Sequence, residues 1–78
     1  MNDIRWNKIS LAEFRSLACL TAEEDEVLTD WARGDIDIRA TADRLHMGTR
    51  KVDALRESIR RKYDEVSIYT PLLPQRQA

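Results

Sequence analysis

The chain has 78 residues, 35% of them charged against a usual ~25%, with only two glycines and two prolines. That length and composition exclude a second domain, a many-stranded sheet and a large enclosed active site, and they point to a small helical bundle. The net charge of −1 hides an uneven split: residues 1–37 hold four Lys/Arg and nine Asp/Glu (−5), and residues 38–78 hold nine and five (+4).

Residues 1–9 mix polar side chains with Ile4, Trp6 and Ile9 at no regular period and read as an N-terminal arm. Trp6 either anchors that arm or covers the edge of a small core, the commoner fate of a large aromatic. Ser10 followed by Glu13 forms a capping-box pattern, with Ile9 placed to pack on Phe14, so a first helix is expected over about 11–19. Its stripe is Leu11, Phe14, Leu17 and Ala18. Cys19 is expected to be a small buried residue.

Thr21 and Glu24 repeat the capping box and open a second helix over about 22–33, with Val27, Leu28, Trp31 and Ala32 inward. Glu23 to Glu26 set negative charge near the positive end of the helix dipole, and Arg33 followed by Gly34 ends the element. In the link that follows, Ile36 is expected to turn inward and Asp37 to cap a short third helix over 37–45.

From Ile38 to Tyr63 the apolar spacing is that of two helices joined by a tight turn. Ala42 and Leu45 lie on the first, His46 to Gly48 turn, and Val52, Leu55, Ile59 and Tyr63 recur on a second helix over about 49–64. The small Ala42 permits a close crossing, and Leu45, Met47, Val52 and Leu55 fill the corner. Either Gly48 or Thr49 caps the last helix. Arg50 and Lys51 then oppose the dipole in its first turn, a cost that a bound anion would remove. Outside the stripe stand Arg50, Lys51, Asp53, Arg56, Glu57, Arg60, Arg61 and Lys62. This mostly basic face suits a major groove and its phosphates, or else consists of solvated charges partly paired with Asp53 and Glu57. Beyond Asp64, VSIYTPLLPQRQA suits an extended tail, since Pro71 and Pro74 forbid a continuing helix.

The expected architecture is therefore all-α: an arm (1–9), a small four-helix, helix-turn-helix domain (10–65) and an extended C-terminal tail (66–78). One cysteine and one histidine provide neither a disulfide nor a zinc set, so no metal or cofactor is expected and the cytoplasm is the expected compartment. No apolar run approaches the roughly 20 residues that span a bilayer, so no membrane partner is expected. Without a phosphate-cradling glycine loop or a catalytic set, no enzyme activity is expected, and His46 reads as a turn residue.

From Leu20 onward the sequence resembles the helix-turn-helix domains of LuxR-type response regulators and the promoter-reading C-terminal region of sigma factors. The resemblance rests on LTAEEDEVL at 20–28, on Trp31, Ala32, Arg33 and Gly34, on Ala42, Leu45, Met47 and Val52, and on SIRRKY at 58–63. It implies that the last helix enters the major groove with Thr49, Arg50, Lys51, Asp53, Ala54 and Glu57 nearest the bases and with Arg56, Arg60 and Arg61 nearer the backbone. A carboxylate there could accept from a cytosine amino group.

A small stand-alone transcriptional regulator that binds double-stranded DNA is the function this implies. The alternative is a protein-interaction module that grips RNA polymerase or another regulator through its acidic helices or its tail. The LuxR-type fourth helix has no counterpart here, so Val66, Ile68, Tyr69, Leu72 and Leu73 either pack across a homodimer, presenting two recognition helices to two half-sites, or fold back over their own core.

Overall fold

The computed structural model describes residues 4–34 and 37–74. They form four helices and, among the described residues, no strand: α1 (Lys8–Leu17), α2 (Ala22–Ala32), α3 (Ile38–Leu45) and α4 (Thr49–Ser67). This is the all-α domain expected. None of these helices is long and apolar enough to cross a membrane.

α4 is the element on which the others pack, since α1, α2 and α3 all contact it and α2 also meets α3. Its buried face carries Val52, Ile59 and Tyr63, which join Phe14 of α1, Val27, Leu28 and Trp31 of α2 and Ala42 of α3 in one core. Leu55 is only partly buried against that core. The fully inward position one residue on belongs to Arg56.

α1 begins three residues earlier than expected, with Asn7 as its cap. Asn7 Oδ1 accepts the Ser10 N–H at 2.8 Å, and Ser10 Oγ accepts the Asn7 N–H at 3.0 Å, so Ser10 closes the box instead of opening it. Asn caps a helix as well as Ser does, and this pair satisfies two end amides at once. The shift moves Ile9 into the first turn, where it is 65% exposed and makes no staple with Phe14. The helix also stops at Leu17, which is exposed, as is Cys19, correcting the expected burial of both.

The limits of α2 and α3 and the start of α4 are local and agree with expectation. Thr21 and Glu24 make the reciprocal box of α2, and Gly34 leaves that helix at φ +93°, a conformation open to glycine. Asp37 Oδ1 accepts the Arg39 N–H at 3.0 Å to start α3. Ile36 lies outside the described residues. His46 ends α3 in the left-handed region at φ 55°, and the Met47 N–H reaches back to Ala42 O at 2.9 Å. The turn is thus made by histidine, while Gly48 lies at an ordinary negative φ as the cap of α4, with no side chain to bond the first amides.

The segment of residues 4–6 and the segment that follows α4 both close on the core. Ile4 is buried, and the Trp6 ring lies 5.3 Å from Phe14, 5.9 Å from Trp31 and 5.7 Å from Tyr63 between centroids, so the segment read as an arm is seated from Ile4 onward. α4 continues to Ser67, adding Val66 and Ser67 to the Ile59 and Tyr63 stripe. The chain then turns twice, with the Tyr69 N–H on Val66 O and the Leu73 N–H on Thr70 O, and returns Leu73 to full burial. Tyr63 donates its hydroxyl to Pro74 O at 2.6 Å. The β-branched character of Val66 is overridden by the place that the stripe offers it.

Candidate nucleic-acid interface

The α3-turn-α4 unit holds the residues expected to read DNA. Asn7, Thr21 and Asp37 cap α1, α2 and α3 through their side chains; α4 alone of the four begins without one. Its first turn carries no acid and two cations, Arg50 and Lys51. At this helix start the partial charge of the uncapped amides adds to that of the side chains.

The expected site residues separate into three groups. Thr49, Arg50, Asp53, Ala54, Glu57 and Arg61 are exposed along the outward side of α4. Among the described residues Arg50 and Arg61 make no ion pair. Lys51 is exposed but held, with Nζ 2.6 Å from Glu23 Oε2 at the start of α2.

Arg56 is buried, and Arg60 lies part-exposed at the edge of this line, both against Trp31 of α2. Arg56 is 5% exposed with its guanidinium carbon 5.5 Å from the centroid of the Trp31 ring, and that of Arg60 lies 5.1 Å from the same ring. Arg60 also meets Glu57 at 3.2 Å. Planar guanidiniums stack well on indole, and a desolvated contact of this kind contributes about 2 kcal/mol. Of the two arginines expected nearer the DNA backbone, Arg56 is thus buried against α2 and Arg60 is part-exposed beside it. Arg56 stands four residues after Val52 and three before Ile59, on the buried stripe itself, and Trp31 gives its cation a partner there.

The acidic first turn of α2 does more than complement its dipole. Glu24, with a side chain 4% exposed, accepts from Lys62 Nζ at 2.6 Å, from the Ser58 hydroxyl and from the Thr21 N–H at 2.8 Å. Burial pushes its carboxyl up, but the bonds from Lys62, Ser58 and Thr21 outweigh that and hold it at about 2. Lys62 also donates to Cys19 O at 2.6 Å. Beside this anchor, Arg15 meets Asp25 at 2.8 Å and Arg44 meets Asp30 at 3.2 Å, tying α1 and α3 to α2. Glu23, Glu24 and Asp30 of the acidic half thus each pair with a cation of the basic half.

What is left for a partner is narrower than a basic face. The outward line of α4 alternates Arg50, Asp53, Ala54, Glu57 and Arg61, close to neutral in sum. Arg39, exposed in the first turn of α3 and making no ion pair among the described residues, is a further cation that sequence reasoning passed over. Its only sequence signal was its place two residues after the Asp37 cap. Set against known proteins, the chain matches no family model, no curated protein and no solved structure.

Proposed function

We propose that this protein binds double-stranded DNA through its α3-turn-α4 unit and acts in the cytoplasm as a small regulator of transcription. The observation that carries the reading is the start of α4, an exposed helix end with no side-chain cap and with Arg50 and Lys51 in its first turn. That arrangement costs stability in isolation and is relieved by a phosphate. Arg50 and Arg61 lie eleven residues apart on nearly the same line, about 16 Å along the axis. A major groove is about 12 Å wide, so the two cations reach its two phosphate ridges while Asp53, Ala54 and Glu57 meet the base edges between them. The resemblance of residues 20–63 to LuxR-type and sigma-factor helix-turn-helix regions supports the same docking.

With so few free cations, one copy binds weakly. The exposed Ile68, Tyr69 and Leu72 beyond α4 then serve as the contact of a homodimer that presents two α4 helices. The same three residues, beside a nearly neutral α4 face, favour the second reading, a module that docks on RNA polymerase or another regulator.

Anisotropy of a labelled mixed-sequence duplex at two salt concentrations separates the readings. Two to three phosphate contacts weaken binding roughly 10- to 40-fold between about 50 and 200 mM salt. Arg50→Ala and Arg61→Ala should each flatten the salt slope by about one contact. Absence of binding by the parent at low salt removes the DNA reading and leaves the interaction module.

A further inference from the structure

The two cations that open α4 are not equivalent. Arg50 makes no ion pair among the described residues, whereas Lys51 Nζ sits 2.6 Å from Glu23 Oε2, with the two side chains 53% and 49% exposed. We infer that Glu23 occupies, at Lys51, the position of a DNA phosphate, and so acts as an internal competitor that sets the strength of the interface. The inference rests on the DNA-binding reading and adds to it an affinity-setting residue on a different helix.

Carboxylate and phosphate present the same charged oxygen acceptors to an ammonium group, so Lys51 can exchange one for the other without moving far. The pair is half in water, where such contacts are weak enough to open. Glu23 does not depend on Lys51 to remain where it is. The neighbouring Glu24 is locked onto Ser58 and Lys62, which fixes the first turn of α2 against α4, and the dipole of α2 favours a carboxylate at that position whether or not Lys51 is present.

Binding therefore replaces one ion pair at Lys51 with another. That exchange gains little from a phosphate in any sequence, and a Glu23 released from Lys51 repels the approaching backbone. Contacts made by Asp53, Ala54 and Glu57 to the base edges carry no such penalty, so the device lowers indiscriminate binding more than groove-specific binding.

Glu23→Gln keeps the shape of the side chain, and circular dichroism will show the fold retained. The measurement is duplex affinity across a salt series for the parent, Glu23→Gln, Lys51→Ala and the double variant. Glu23→Gln should tighten low-salt binding about two- to fivefold, the equivalent of one exposed ion pair, and steepen the salt slope by up to about 0.9, one added phosphate contact. On the Lys51→Ala background the same change should leave the slope where it was, since no cation is released. Binding by Glu23→Gln alone, with none by the parent, is the same result in stronger form. An unchanged slope, or an equal change with and without Lys51, overturns the competitor while parent binding leaves the DNA reading standing. No duplex binding by the parent or by Glu23→Gln removes the DNA reading and this inference with it.

Discussion

Glu24 is the residue at which the charge of the acidic half is put to structural use. Its carboxyl lies at about 2 in the fold against an ordinary 4.5. A lowered folded value means stability that is fully present above the unfolded value and is lost as the pH falls through the folded one. The pairing therefore contributes about 3 kcal/mol above pH ~5 and fades toward pH ~2. Glu24→Gln should remove that contribution while its amide oxygen still accepts from Thr21. Urea unfolding of the two proteins should differ at pH 7 and converge toward pH 2; a gap constant with pH would refute the role of the charge. Gly48 offers the opposite experiment. A Cβ there meets nothing within 4 Å, and the position lacks a cap. Gly48→Asp should add a side-chain cap and offset Arg50 and Lys51, raising stability by roughly 0.5–1 kcal/mol in thermal melts. On the DNA-binding reading it should also weaken duplex affinity, because the new carboxylate takes the place of the anion.

Among the elements, α4 and the segment after it diverge most from a local reading. Pro71 sets an upper limit on the helix, but nothing before Ser67 stops it, and Val66 continues the inward stripe. The two turns beyond then carry Leu73 back into the core while Ile68, Tyr69 and Leu72 remain outside. Leu73→Ala should cost roughly 2 to 5 kcal/mol, as loss of a buried leucine does. Tyr69→Ser, at a position 79% exposed, should change stability by less than about 0.5 kcal/mol. Equal effects from the two would show that the segment does not pack as described. Sedimentation adds the assembly question, since a dimer through this face should dissociate with Tyr69→Ser and Leu72→Ser at unchanged stability.

Over the whole molecule, the −5 and +4 halves meet in part within the fold. Glu23, Glu24, Asp25 and Asp30 of α2 each meet a cation from another helix. Number, order and approximate limits of the helices were legible in the chain alone because caps, stripes and stop signals act over three or four residues. The Thr21 box, Gly34, Asp37 and the Val52, Ile59 and Tyr63 stripe are of that kind. Even the early start of α1 was written locally, since Asn7 competes with Ser10 at the same spacing and wins by making Ser10 its partner. Which charges face outward was decided only by tertiary packing. Arg56 is a solvated cation until Trp31, 25 positions earlier, provides a ring for it; Lys62 reaches Glu24 across 38 positions and Cys19 across 43. Such pairs have no period in sequence. They exist only once α2 lies across α4, which holds Arg56, Arg60 and Lys62 against it.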